Sequence, residues 1–325
     1  MKKNVFKLTI IVLFLILMTG CSTNKIVIYS SMEEERNQAL KDQIKDKFPD
    51  YNIVVQSIST GNSAAKIKNE KTNIEADIVL DLETGHLENL KDNFADISKI
   101  DTSIYDDDIN NTDKYLIWCK YTIDLIVDNS YLKKHNLKVP KTYQDLLKPE
   151  YKGLIAMPDP KTSGTGYAFF LNAVNEMGEK EAISYFKKLN NNIREYTTSG
   201  SGPTNLLKQG EIAIAVGMTS QGVAAINDGY DFSIVELSTG SMYNTTGFAV
   251  IKGKESKTGV MEVYNWLLSD FLSYDKAYFI PNKVLKNQEV KIKNYPTDLK
   301  DANMNGIDDI SVKSHLMEVW GKING

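Results

Sequence analysis

From Lys25 onward, short runs of apolar, often β-branched residues alternate with stretches of helical period, and the alternation begins afresh near residue 154. Runs this short between turn signals read as buried strands, and strands separated by helices predict a mostly parallel sheet with helices on both faces. In the first half the strands fall at 25–30, 53–55 and 76–80. The first helix opens at Ser31, which has capping-box spacing to Glu34, and Leu40, Ile44 and Phe48 follow at helical intervals. A shorter helix starts near Asn62. In the second half a strand at 154–157 is followed by a helix running to Val174. A second helix at 179–189 carries an apolar stripe through Ala182, Ile183, Tyr185, Phe186 and Leu189. Strands at 211–217, 232–237 and 247–251 and a helix at 219–228 complete the pattern. The last 70 residues read as mainly helical, with Trp266, Tyr274, Tyr278 and Trp320 in the core.

Two nearly identical pentapeptides, Thr162-Ser163-Gly164-Thr165-Gly166 and Thr198-Ser199-Gly200-Ser201-Gly202, each precede a helical pattern. Pro203 suits a first helical position after the second. Hydroxyl residues interleaved with glycine supply O–H donors and let a ligand approach the backbone. The first N–H groups of a helix lack partners and favour an anion. Ser59-Thr60-Gly61 is a third loop of this kind. The flanks of the two pentapeptides do not match, so they are not an internal repeat.

Residues 1–20 read as an export leader: Lys2, Lys3 and Lys7 precede an apolar run from Leu8 to Met18. A bilayer span needs about 20 apolar residues, more than this run has. It ends in Leu17-Met18-Thr19-Gly20-Cys21, which resembles the bacterial lipobox and implies cleavage before Cys21 and acylation of its sulfur. Acyl chains contribute about 0.8 kcal/mol per buried methylene, so a multiply acylated Cys21 is a stable membrane tether. The whole chain has 38 basic and 42 acidic side chains; losing three leader lysines leaves 35 against 42, a net charge of −7. That balance argues against nucleic acid as a partner. Arg36 and Arg194 are the only arginines, which argues against an arginine-lined phosphate clamp. Cys119 lies in an apolar-aromatic run at 115–127 and reads as a buried, inert thiol. His86, His135 and His315 are scattered without metal-ligand spacing.

About 300 residues beyond the leader exceed what one core usually serves, so two domains are expected. No Pro/Ser/Gly-rich linker divides them, which fits lobes joined by crossing strands. The order of pieces then resembles a known family. A lipobox, a strand ending Tyr29-Ser30-Ser31 with an acidic helix start, Ala76-Asp77-Ile78-Val79, and the stretches 157–170, 198–217 and 245–253 resemble the type II extracellular solute-binding proteins of ABC importers. The similarity is to the cluster that includes ferric-iron, 2-aminoethylphosphonate and hexose-phosphate binders. It implies an α/β fold of two lobes, mixed sheets with flanking helices, a two-strand hinge, and a ligand in the interlobe cleft. The corresponding division is 1–20 leader, 21–25 anchor and tether, 26–118 plus 240–283 lobe 1, and 119–239 plus 284–325 lobe 2. It also implies an extracytoplasmic, membrane-anchored monomer that hands its solute to permease subunits.

Ligands of open α/β sheets sit beyond the carboxyl ends of strands. Ser30 and Ser31 occupy such an end, as do Ser59, Thr60 and Gly61; these are assigned to one lobe. Ser163, Gly164 and Thr165, with Ser199, Gly200 and Ser201, are assigned to the other. Asp81 and Glu83 are expected to face an amino or hydroxyl part of the ligand, Trp118, Tyr121 or Tyr243 to stack on it, and Thr219 to lie nearby. Arg36 is expected on the solvent side of its helix. Ferric sites of the iron branch rest on adjacent tyrosines after the strand corresponding to 211–217, often with a histidine near the first strand. Here those positions hold Met218-Thr219 and Met32, and no Tyr-Tyr pair exists. A hard ferric ion prefers anionic oxygens, so iron is the alternative reading, by a site without paired tyrosines. Asp301 to Asp309 resembles half of an EF-hand loop, but Val312 stands at the twelfth position, so a polar turn is expected. No cofactor is expected. A surface phosphatase lacks a nucleophile-base-acid set and a histidine near the glycine loops, and an adhesion lipoprotein needs no pocket. The reading is a binding module for a small anionic solute, a phosphonate or phosphorylated compound.

Overall fold

The structure, a computed structural model, describes residues 25–324. The expected leader and the acylated Cys21 lie outside the described residues. At one end of the sheet β1 (Lys25–Ser30) is flanked in parallel by β2 (Asn52–Ser57) and β3 (Ile78–Glu83). At the other, β5 (Ile155–Pro158) is flanked in parallel by β6 (Ile193–Thr197) and β7 (Ile214–Met218). Between them run β4 (Leu116–Asp128) and β9 (Met242–Val250), the two longest strands. The sheet order is β2-β1-β3-β9-β4-β7-β5-β6, with β8 (Phe232–Val235) also on β4. The pairings β3·β9, β9·β4, β4·β7 and β4·β8 are antiparallel. The fold is therefore mixed α/β rather than mostly parallel. The expected parallel pattern holds at both ends and gives way in the middle, where the chain crosses between them.

β3 is buried at every position and β4 at all but Lys120 and Asp128. Both therefore read as near-continuous apolar runs, as strands covered on two faces do. That also hid β4, whose sequence shows no alternation. At the first end sit α1 (Glu34–Lys47), α2 (Thr60–Glu70) and α3 (Thr84–Asn89). The run α4 (Asn129–Lys134), α5 (Gly164–Met177), α6 (Glu179–Leu189), α7 (Gly202–Lys208) and α8 (Thr219–Asn227) surrounds the second. α5 is buried from Gly164 to Ala173, as expected of an apolar helix wedged between sheet and helices. α6 buries Ala182, Tyr185, Phe186 and Leu189, the stripe its period predicts, with Ile183 only partly covered.

The last 70 residues are less helical than expected. α9 (Val260–Trp266), a wide turn at Leu267–Phe271 and α10 (Leu272–Tyr278) are followed by no helix until α11 (Ile310–Asn324). The intervening strap spends its backbone groups on neighbours instead. Asp106 N–H donates to Val284 O (2.9 Å), Lys286 N–H to Ile104 O (3.0 Å) and Ser241 N–H to Lys300 O (2.7 Å). Tyr274 is only partly buried and Tyr278 exposed, while Trp320 on α11 is buried against Phe170, Phe186 and Tyr196. The Asp301–Asp309 stretch is a polar turn ahead of α11. Asp308 pairs with the Thr84 hydroxyl, and Asp309 accepts from Ser311 N–H (2.8 Å). Among the described residues no helix is long and apolar enough to cross a membrane.

Candidate ligand-binding cleft

Four helices of at least nine residues aim their N-termini at one cavity of about 330 Å³. The residues before their first turns, Glu33, Ser59, Ser163 and Met218, all line it, and none makes a side-chain capping bond. Each N-terminus carries roughly half a positive charge on unpartnered N–H groups. α1 and α2 approach from one end of the sheet, α5 and α8 from the other.

The two TSG loops meet here. A Cβ on Gly200 would stand 2.9 Å from Thr165 Oγ1 and 3.4 Å from Ser163 Oγ, so the second loop lays its backbone on the hydroxyls of the first. Ser163 and Thr165 are largely buried and line the cavity, and their hydroxyls form no hydrogen bond among the described residues. Ser199 and Ser201 Oγ lie 3.3 Å apart on the more open rim. Tyr121, 8% exposed, also lines the cavity, its hydroxyl without a hydrogen bond among the described residues, and burial, with Glu83 close by, pushes its pKa well above the ordinary value.

Carboxylates occupy the rest of the wall. Asp81 sits at a bulge in β3 with φ +61°, a left-handed conformation that costs a non-glycine residue about 1 kcal/mol or more. The turn brings its carboxylate to Arg36 Nη1 (2.9 Å), to Cys119 Sγ (3.4 Å) and to the Thr246 hydroxyl, which donates to it. Glu83 accepts from Lys313 Nζ (2.6 Å), with His86 Nε2 at 3.9 Å. Burial opposes its charge, but Lys313 and His86 outweigh that and hold its pKa below the ordinary value. Burial in turn depresses the His86 pKa. Cys119 is fully buried, and burial beside Asp81 pushes its thiol up to about 12, which makes it inert as expected. No lysine, arginine or histidine lines the cavity among the described residues.

Of the sequence-derived candidates, Ser31, Ser59, Thr60, Asp81, Glu83, Tyr121, Ser163, Gly164, Thr165, Ser199, Gly200 and Ser201 line this one cavity. Five lie elsewhere. Ser30 is buried and its Oγ accepts from Met32 N–H (3.3 Å). Gly61 is exposed one residue beyond the lining. Trp118 is fully buried against Phe248 and Phe271. Tyr243 lies under Lys120 Nζ, 4.2 Å from the ring centre. Thr219 is buried and donates to Asp124 Oδ2 (2.5 Å). Two local expectations are corrected. Ser31 does not cap α1, which begins at Glu34; its N–H donates to Leu80 O (3.0 Å) and fixes the strand end instead. Arg36 does not face solvent. It is 3% exposed and bonds Asp275 (2.7 and 2.9 Å), Asp81 and Glu33 (2.9 Å each). Arg194, the other arginine, is exposed and away from the lining. Sequence reasoning missed Glu33, Glu34, Gln221 and Thr246; the acidic start of α1 was the available signal for the first two.

The cleft thus lies between two α/β ends and is walled by helix N-termini, hydroxyls and carboxylates. Residues 73–303 match the family described as bacterial extracellular solute-binding proteins, and the chain belongs to that family. A protein of Haemophilus influenzae (strain Rd) named only as uncharacterized is 32% identical over 144 residues, 44% of this chain and 42% of its own. A Salmonella typhimurium (strain LT2) protein named "Putative 2-aminoethylphosphonate-binding periplasmic protein" is 28% identical over 173 residues, 51% of this chain and 48% of its own. The chain thus spans under half the length of these relatives. Among solved structures, the periplasmic binding protein AfuA from Actinobacillus pleuropneumoniae, with fructose-6-phosphate bound, superposes with a TM-score of 0.72 at 22% identity, over 93% of this chain and 98% of that one. The fold is that of the two-lobed periplasmic binding proteins.

Proposed function

We propose that this chain is the solute-binding component of an ABC importer, and that its cleft takes a small solute bearing a phosphonate or phosphate oxyanion. The observation that carries this is the convergence of four helix N-termini without side-chain caps on a cavity where the Ser163 and Thr165 hydroxyls have no hydrogen bond among the described residues. Dipoles and hydroxyls of this kind bind oxyanions without a lysine or arginine. The names of the Salmonella relative and of AfuA agree with that chemistry. In this reading β4 and β9 are the hinge between 26–118 plus 240–283 and 119–239 plus 284–325. The monomer is tethered outside the cytoplasm through Cys21 and delivers its solute to permease subunits by opening.

Thermal melts with phosphate, 2-aminoethylphosphonate, hexose phosphates, thiamine phosphates and Fe(III) test the reading. A ligand that binds only the folded state adds RT ln(1 + [L]/Kd), about 2.7 kcal/mol at a hundredfold excess over Kd. A shift with an organic oxyanion is the expected result. A shift with Fe(III) alone replaces this reading by the ferric one, and no shift with any probe refutes solute capture.

A further inference from the structure

Resting on the reading of β4 and β9 as the hinge, we infer that the segment from Asp308 to Lys313 is a latch. It fastens the two ends of the sheet together across the cleft before any solute arrives. The chain on either side of it belongs to the second end. Asn175 Nδ2 donates to Asn303 O (3.0 Å) and Asn305 O (3.1 Å), and Asn172 Nδ2 donates to Asn303 O (3.1 Å). Farther on, Trp320 is buried against Phe170, Phe186 and Tyr196, and its Nε1 donates to Asp159 Oδ1 (3.0 Å). α11 is therefore anchored on α5 and α6.

The first turn of α11 and the residues before it reach the other way. Asp308 accepts from the Thr84 hydroxyl, and a Cβ on Gly85 would stand 3.1 Å from Asp308 O, so the two backbones lie against each other. Lys313 Nζ sits 4.9 Å from the ring centre of Tyr167 on α5 and donates to Glu83 Oε2 at 2.6 Å. His86 Nε2 lies 3.5 Å from the same Nζ. Glu83 ends β3, and Thr84, Gly85 and His86 open α3, all at the first end. Opening about β4 and β9 pulls Glu83 and Thr84 away from Lys313 and Asp308.

The ion pair is sheltered, with the Lys313 and Glu83 side chains 16% and 7% exposed, so salt screens it less than a surface pair. Glu83 lines the cavity, whereas Lys313 and Asp308 do not. The latch thus ties the cavity wall to a helix outside the lining. A solute binds more tightly when its competent state is already populated. Lys313 and Asp308 are in that sense positioning residues.

Small-angle scattering of the whole ligand-free chain tests this with Lys313→Met and Asp308→Ala, and with Lys313→Arg as the conservative change. The expected result is a larger radius of gyration in the first two and the wild-type radius in Lys313→Arg. Cooperative melting of each variant separates opening from unfolding, and two variants at separate contacts keep the test readable if one fails to fold. If these residues only anchor α11, the melting temperature falls while the radius stays that of wild type, and that result overturns the latch. Phosphate, 2-aminoethylphosphonate and hexose phosphates, added in turn to the wild-type chain, then distinguish this failure from that of the hinge. Contraction with any of them leaves the hinge without a latch, and contraction with none removes both. Whichever of them binds the wild-type chain in calorimetry should bind Lys313→Met about three- to tenfold more weakly, and equal affinity overturns closure in advance of the solute.

Discussion

A Cβ at Gly164 would stand 2.0 Å from Glu83 Oε1, so a side chain there must push that buried carboxylate aside. The first TSG loop therefore depends on glycine for close approach rather than for an unusual backbone angle. Gly164→Ala should destabilise the chain by about 1–3 kcal/mol, as overpacking does, and a second change, Glu83→Ala, should recover part of that loss. Urea melts of the two variants check this; a single variant as stable as wild type would mean the loop yields freely. Ser163→Ala with Thr165→Ala should weaken oxyanion binding by tenfold or more, since hydrogen bonds to charged groups contribute about 1.5–3 kcal/mol each. The melting temperature of the ligand-free double variant should barely move, because those hydroxyls form no hydrogen bond among the described residues. Unchanged affinity in calorimetry would take both residues out of the site. The hydroxyl-glycine loops were legible in the sequence because they pair a helix start with a glycine at fixed spacing. The roles of Trp118, Tyr243 and Thr219 were not, because a residue in an apolar strand shows its type but not which face it takes.

At the level of elements, Arg36 clamps α1 to β3 and α10. Its bond to Asp275 spans 239 residues of sequence, so nothing near Arg36 signals its burial. Burial opposes the Asp275 charge, but Arg36 and Lys276 prevail and hold its pKa below the ordinary value. Its contribution to stability is therefore complete above the unfolded-state pKa of about 4 and drains away as pH falls through the lower folded value. Arg36→Met removes the partner and should cost about 3–5 kcal/mol near neutral pH, the usual loss when one member of a buried ion pair is deleted. With Arg36 gone, the buried carboxylates gain from protonation, so the stability gap to wild type should narrow as pH drops from 7 toward 4. Chemical denaturation at several pH values reads this, and a gap of constant size would show that the clamp is not electrostatic. The strand-helix order of both ends was legible from period alone. β4 and the strap from 279 to 309 were not, because one lacks alternation and the other takes its conformation from the surfaces it crosses.

Across the whole molecule, β4 and β9 are the paired strands that link the two ends of the sheet. The strap reinforces them, with Leu285 bridged to Tyr105 and Asp301 to Ser241 and Lys120. If these strands are the hinge, a saturating ligand should lower the radius of gyration measured by small-angle scattering, as hinge closure does. An identical radius with and without ligand would mean a cleft that fills without moving. The same connectivity sets an order in time. β3 waits for β9 about 170 residues later, since Ile78 is paired with Val250 and Val79 with Ala249. A chain emerging from a ribosome exposes β1, β2 and β3 long before the partner that closes them. Such distant pairing slows folding. Synthesis must run past residue 250 before β3 and β4 can both pair with β9, so the sheet reaches its full strand order only late in the making of the chain.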